Sequence, residues 1–182
     1  MNYDTKREVW SWIKTIAVSM IIVLVCRSFF ITPSIVEGQS MMPTLQDGDR
    51  IILSKISKIE RFDEIAFEAP DSTDAYVKRV IGLPGDTIVM KDDMLYINDK
   101  LVEEPYLKEF KSKLSAGQRL TNDFTLEQIT GKQVIPEGYL FVLGDNRLIS
   151  KDSRYFGLIS KESVIGDVQV RIWPLNAIGI PE

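Results

Sequence analysis

The sequence predicts a mainly β protein, in which an N-terminal transmembrane helix precedes an antiparallel β-sheet domain with a small inserted β-subdomain. Three observations carry that reading. An apolar run near the N-terminus is bounded by basic residues. Behind it, short runs rich in Ile, Val and Leu alternate with the turn formers Gly, Pro, Asn and Asp. The chain has 182 residues, 45% hydrophobic and 26% charged, a globular balance with enough length to bury a core without metals or disulfides.

The helix comes first. Lys6, Arg7 and Lys14 precede an uncharged stretch from Thr15 to Cys26, and Arg27 follows it. That stretch alone is short for a bilayer, which needs about 20 mostly apolar residues. Trp10 to Ile31 supplies the length, with Lys14 and Arg27 placed to snorkel and Trp10 and Trp12 suited to the interfacial belt. Ala17 to Val25 is apolar or small all round, which disfavours an amphipathic helix packed on a soluble core. A cleaved leader would share the basic and apolar regions. However, Arg27, Ser28, Phe29 and Phe30 follow Cys26, and they form no small-x-small site. The expectation is an uncleaved, single-pass signal-anchor. Basic residues before the helix put residues 1–12 in the cytoplasm, 13–31 in the membrane and 32–182 outside. Cys26, preceded by the bulky Val25, reads as apolar filling rather than as a lipidation site.

Strand-like patterns dominate from Pro33 onward. Arg50 to Lys55 carries Ile51, Ile52 and Leu53, and Ala75 to Ile81 ends at Gly82-Leu83-Pro84-Gly85-Asp86. Thr87 to Met90 and Met94 to Ile97 flank Lys91-Asp92-Asp93 as a hairpin, and Asn98-Asp99-Lys100 turns the chain into Leu101-Val102. Tyr139 to Leu143 and Val164 to Ile172 supply two later strands. Residues 103–133 are more polar and read as a small insertion, with a short helix from Thr125 to Ile129.

Composition removes several chemistries. The chain has no histidine, which excludes Ser-His-Asp and Cys-His mechanisms and His-ligated metals. Its one cysteine excludes intramolecular disulfides and Cys-clustered metal sites. A net charge of −4 and a pI of about 5.1 imply no basic face for nucleic acid. A hydrolase built from this chain needs a base other than histidine.

Three segments hold candidate chemistry. In Gly38-Gln39-Ser40-Met41-Met42-Pro43-Thr44, a serine lies between a glycine and a proline-stiffened stretch, so a turn can present its hydroxyl and backbone N–H together. Taken alone, it is a turn serine. In Tyr76-Val77-Lys78-Arg79-Val80-Ile81-Gly82, Lys78 shares its strand face with Tyr76 and Val80, while Arg79 faces the other way. Apolar neighbours disfavour a charged lysine; to act as a base near neutrality, it must lose about 4 kcal/mol of preference for that form. The competing reading is a snorkelling lysine on an edge strand. In Gly144-Asp145-Asn146-Arg147-Leu148-Ile149-Ser150-Lys151-Asp152-Ser153-Arg154, charged and hydroxyl residues crowd behind an apolar strand, more densely than a solvated turn requires.

In this order, behind an anchor, the segments resemble the type I signal peptidases of Gram-positive bacterial type, membrane-bound serine peptidases with a Ser/Lys dyad. The resemblance rests on Ser40-Met41 with Pro43-Thr44, on Tyr76 to Asp86 and on Gly144 to Arg154, and it spans nearly the whole chain. It implies that Ser40 is the nucleophile and Lys78 the general base of an acyl-enzyme mechanism. Ser150 would hydrogen-bond and orient the lysine. Asp152 and Arg154 would hold the architecture, with Asp145 and Arg147 in support. The Ser40 backbone N–H would form the oxyanion hole. Some relatives carry a serine two residues before the nucleophile as a second donor, whereas this chain has Gly38. The implied partners are secretory preproteins, cut after a small-x-small motif, and the lipid bilayer. No cofactor, metal or nucleic acid is implied. The small side chains would enter shallow pockets near Ile35, Val36 and Met41. The enzyme would sit in a bacterial cell membrane, with Ser40 nine residues past Ile31 and so close to the bilayer surface.

Three other readings compete. A self-cleaving Ser/Lys peptidase of the repressor type would carry a DNA-binding domain where this chain has an apolar segment. A noncatalytic relative would have lost the serine or the lysine. A plain extracytoplasmic β-domain would match the three segments by coincidence.

Overall fold

The computed structural model describes residues 3–115 and 117–181. The first element, α1 (Tyr3–Phe29), is one unbroken helix whose side chains from Lys6 to Val25 are all exposed. From Lys6 to Phe29 it is long and apolar enough to cross a membrane, and no part of the β domain covers it. The side chain of Cys26 lies outside the described residues. Where α1 ends, Lys55 ties it to the sheet: its N–H donates to the Phe30 carbonyl at 2.9 Å and its Nζ to the Ser28 carbonyl at 3.1 Å.

The rest is mostly antiparallel β, in two sheets. The strands are β1 (Ile31–Ile35), β2 (Arg50–Ser54), β3 (Glu64–Glu68), β4 (Ala75–Gly82), β5 (Ile88–Lys91), β6 (Met94–Ile97), β7 (Lys100–Val102), β8 (Phe124–Thr125), β9 (Tyr139–Leu143), β10 (Ile159–Ser160) and β11 (Val164–Trp173). The larger sheet has the order β1-β2-β11-β3-β4-β9-β10. The smaller has the order β7-β6-β5-β8.

Strand alternation divides the apolar side chains into three clusters. Val36, Met41, Leu45, Ile51, Leu53, Ala66 and Val168 pack beneath the loop that follows β1. Ile65, Phe67, Val80, Leu140, Val142 and Ile159 fill a second cluster. The third joins the sheets, with Ile81, Phe141 and Leu143 meeting Ile88, Met90, Leu95 and Ile97. Gly82 lies at this seam because an added Cβ would strike the Ile88 and Ile135 side chains.

The small sheet rests on two tight hairpin turns. Asp92-Asp93 and Asn98-Asp99 all have positive φ, which is what a two-residue turn matched to strand twist needs. The expected strands from 87 to 102 therefore form, and they, not residues 103–133, make up most of the second sheet. Among the described residues, 103–133 contribute only β8, a 3-10 turn at Pro105–Leu107 and the helices α2 (Lys108–Ser112) and α3 (Leu126–Thr130). Helix α3 sits one residue beyond the expected range because Thr125 is its N-cap in a capping box with Gln128. Helix α4 (Ser153–Phe156) follows the third candidate segment and is capped by Asp152.

Four strands are not expected from the sequence, and two of them, β8 and β10, are only two residues long. In β3, Glu64 to Glu68, Ile65, Ala66 and Phe67 are buried consecutively on both faces, so no alternation marks it. In β1, Pro33 interrupts the pattern, which an edge strand tolerates.

Candidate active site

Ser40 sits in the loop between β1 and β2. That loop is tied to itself: Val36 N–H donates to the Asp49 carbonyl at 2.8 Å and Gly48 N–H to the Val36 carbonyl at 2.9 Å. Below the serine, Met41 and Leu45 are fully buried and anchor the turn in the core. Arg171 of β11 holds the far side, donating to the Thr44 carbonyl at 2.9 Å and to Asp49 at 3.1 Å. Gly38 has φ +83°, and its N–H is committed to Asp47 at 2.7 Å. The N–H of Ser40 meets no acceptor among the described residues.

Lys78 comes from β4, where its backbone pairs with Ile65. The side chain is 4% exposed. Its Nζ lies 2.8 Å from Ser40 Oγ and 2.8 Å from the Val77 carbonyl, with the Tyr76 ring 5.1 Å away. Among the described residues, no carboxylate forms an ion pair with it. Burial pulls its pKa down from the usual lysine range to about 8, although the negative charges of Asp152 and Asp145 pull the other way.

Arg79, one residue on, faces away, as strand alternation requires. Its guanidinium makes a two-pronged bond to Asp145, Nε to Oδ1 at 2.9 Å and Nη2 to Oδ2 at 2.7 Å, and stacks 4.1 Å from the Tyr106 ring. Thr44 Oγ1 donates to the same carboxylate at 2.6 Å. Glu64 Oε1 lies 2.7 Å from Arg79 Nη2 but outside hydrogen-bonding alignment, so this is an ion pair without a hydrogen bond. Burial raises the Glu64 pKa to about 7, against the pull of Arg79. Arg79 itself is held above its usual value: burial opposes its charge, but Asp145 and Glu64 outweigh that.

The segment after β9 closes the site from behind. Gly144 passes so near Ser40 that an added Cβ would lie 2.6 Å from the Ser40 carbonyl oxygen. Asn146 N–H donates to that carbonyl at 3.0 Å, and its side-chain amide donates to the Gln39 carbonyl at 3.1 Å. Asp152 and Arg154 form an ion pair, Nε to Oδ1 at 2.8 Å and Nη2 to Oδ2 at 2.8 Å. Asp152 also accepts from Gly144 N–H at 3.0 Å. Arg147 is fully buried against Glu104. Ser150 departs from expectation. It is buried beside Gly144, but its Oγ has no hydrogen-bond partner among the described residues, and Lys78 takes the Val77 carbonyl instead.

A cleft of about 480 Å³ opens over Ser40 and Lys78, lined by Ile35, Val36, Met41, Ala66, Tyr76 and Val77 among others. The three residues expected to line it are present. One wall is the first half of β4, paired with β3 on one side only, since β9 joins β4 from Arg79 onward. Two larger clefts, of about 850 and about 730 Å³, contain neither Ser40 nor Lys78. Chemistry rather than size selects the smaller one.

Sequence reading missed Glu64, Thr44 and Glu104. Thr44 stood inside a singled-out motif, but only as its end. Glu64 and Glu104 look like surface acids, and no local pattern marks them as buried.

Residues 9–173 match the family described as signal peptidase, peptidase S26. The chain is similar to signal peptidase I of Bacillus caldolyticus, 51% identical over 171 residues that cover 92% of this chain and 91% of the relative. It is similar to signal peptidase IB of Staphylococcus aureus strain COL, 41% identical over 179 residues, with coverages of 94% and 93%. Its fold is similar to a crystal structure of a signal peptidase I from Enterococcus faecalis V583, with a TM-score of 0.61 and 47% identity, covering 63% of this chain and 100% of that one.

Proposed function

Because the chain belongs to the signal peptidase family, peptidase S26, we propose that it is a signal peptidase I that cuts signal peptides from exported preproteins after a small-x-small motif, with Ser40 as nucleophile and Lys78 as general base. One observation carries the assignment: a buried lysine lies 2.8 Å from a serine hydroxyl, with no ion-pair partner among the described residues and a pKa near 8. A lysine so placed is neutral often enough to accept a proton, and its reach to Oγ is that of a general base.

Neutral Lys78 takes the Ser40 proton as Oγ bonds to the carbonyl carbon of the scissile peptide. The tetrahedral oxyanion is met by the free Ser40 N–H. Gly38 has no side chain to offer a hydroxyl, and its N–H is held by Asp47, so this position supplies no second donor. The lysine ammonium then returns the proton to the leaving amine as the C–N bond breaks, giving the acyl-enzyme. A water gives a proton to Lys78 as its oxygen bonds to the ester carbonyl carbon; the lysine then returns that proton to Ser40 Oγ as the acyl C–O bond breaks, freeing the new carboxyl end and restoring the dyad.

Substrate enters as an extended peptide beside the half-paired β4 edge, where main-chain bonds supply affinity and the shallow apolar floor selects small side chains. Arg79, Asp145, Asp152 and Arg154 keep the dyad in register, and Ser150 fills the space beside Gly144. The helix anchors the enzyme in a bacterial cell membrane, with the basic N-terminus cytoplasmic and residues 32–182 outside. Tethering raises the effective concentration of enzyme at a substrate whose own apolar segment lies in the bilayer.

Cleavage of a preprotein in detergent micelles by wild type, Ser40→Ala and Lys78→Ala tests this reading. Folded but inactive variants beside an active wild type support it. Normal cutting by Lys78→Ala would assign the base elsewhere.

A further inference from the structure

The part of the chain from Glu104 to Thr121 has no role in the dyad chemistry, yet three of its polar side chains converge on one residue of the site. Arg147 is fully buried, and so is the Glu104 carboxylate against it. The guanidinium donates to Glu104 Oε1, to Thr121 Oγ1 at 3.2 Å and, at 3.5 Å, to the Tyr106 hydroxyl. Tyr106 in turn donates to Glu104 Oε1 at 2.9 Å. The remaining nitrogen, Nε, reaches back to the Gly144 carbonyl at 3.0 Å. One arginine therefore joins the second-sheet side of the molecule to the backbone that touches the nucleophile.

That backbone has little freedom. Gly144 lies against the Ser40 carbonyl, and Asn146 holds the Ser40 and Gln39 carbonyls through its N–H and its amide. A shift in Arg147 moves Gly144 and Asn146, and with them the peptide unit that sets the direction of Ser40 Oγ and its N–H. Nucleophile placement tolerates little error, since a displacement of about 1 Å is worth about a hundredfold in rate.

We infer that Glu104, with Thr121, is a positioning residue for the nucleophile, acting through Arg147. The second sheet and its following turn are thereby a clamp on the reactive serine. This rests on the dyad reading above.

A merely stabilising ion pair and a positioning one give different results. Replacing a buried ion pair by apolar residues of similar volume commonly preserves folding. The variants are Glu104→Gln, Thr121→Val and the double Glu104→Leu with Arg147→Met, each in the full-length chain in detergent micelles. The readouts are kcat and KM on a preprotein, the urea midpoint, and amide exchange at Asn146. The expected result is a folded double variant with kcat reduced about tenfold to a hundredfold, KM within about twofold, and faster exchange at Asn146. Thr121→Val, the mildest change, should show the same split at smaller amplitude. A folded double variant that cuts at the wild-type kcat with Asn146 still protected overturns the inference. Ser40→Ala runs in parallel: cutting by that variant would remove the dyad reading, while Asn146 exchange would still report on the clamp.

Discussion

Replacing Lys78 by methionine should make the protein inactive and, below about pH 8, stabler than its active parent relative to the same comparison in alkali. Methionine keeps the unbranched apolar stem, one atom shorter, and removes the charge. In the folded state the lysine titrates near 8, against 10.5 for the free group, because burial disfavours its ammonium form. A lysine held below its unfolded value adds stability that is complete above the unfolded pKa and lost as pH falls through the folded one. The buried lysine therefore costs about 3 kcal/mol at neutral pH, at about 1.4 kcal/mol per pH unit of displacement. At 4% exposure, solvent screening reduces this little. Loss of the bonds to Ser40 Oγ and the Val77 carbonyl removes a roughly constant amount, so the pH dependence is the clean signal. Urea unfolding of both proteins in the same micelles, from about pH 7 to about pH 11, should show the variant's relative advantage shrinking by about 3 kcal/mol. A difference that stays flat across that range would refute the claim that burial lowers the Lys78 pKa.

The same displacement sets the rate profile. The wild-type kcat/KM should rise through an apparent midpoint near 8 and level off above it. Asp152→Asn should lower the midpoint, because a negative charge that favours the ammonium is gone. Gly144→Ala should cost about 1–3 kcal/mol of stability by overpacking against the Ser40 carbonyl, with a loss of kcat larger than the shift in urea midpoint explains. Glu64→Gln should stabilise the protein by about 3 kcal/mol above about pH 7 and by little near pH 4.5, since a carboxylate raised to about 7 weakens the fold as pH rises through that value. Parallel urea curves at the two pH extremes test this, and equal midpoints at both would contradict it.

Part of the molecule is written in local pattern. The anchor is legible because a bilayer-length apolar run needs no tertiary context. The hairpins are legible because Asp92-Asp93 and Asn98-Asp99 put residues that tolerate positive φ between apolar runs. The reactive types were also visible, because a chain without histidine leaves few bases to pair with a serine. Strand alternation even gave the opposite facing of Lys78 and Arg79.

Tertiary structure alone decided the environment. Ser40 and Lys78 are 38 residues apart, and only the insertion of β4 beside β3, with the Ser40 loop pinned over it by Met41, Leu45 and Arg171, brings Nζ to 2.8 Å from Oγ. Lysine titrates near 8 only where the fold removes water, and desolvation depends on every residue packed around the site rather than on its neighbours in the chain. The same reason hid Glu64 and Glu104. A carboxylate reads as surface in sequence, and it becomes a buried partner of Arg79 or Arg147 only when distant segments enclose both charges. It also left Ser150 without its expected bond, because the Val77 carbonyl, presented by the lysine's own strand, lies within reach of Nζ.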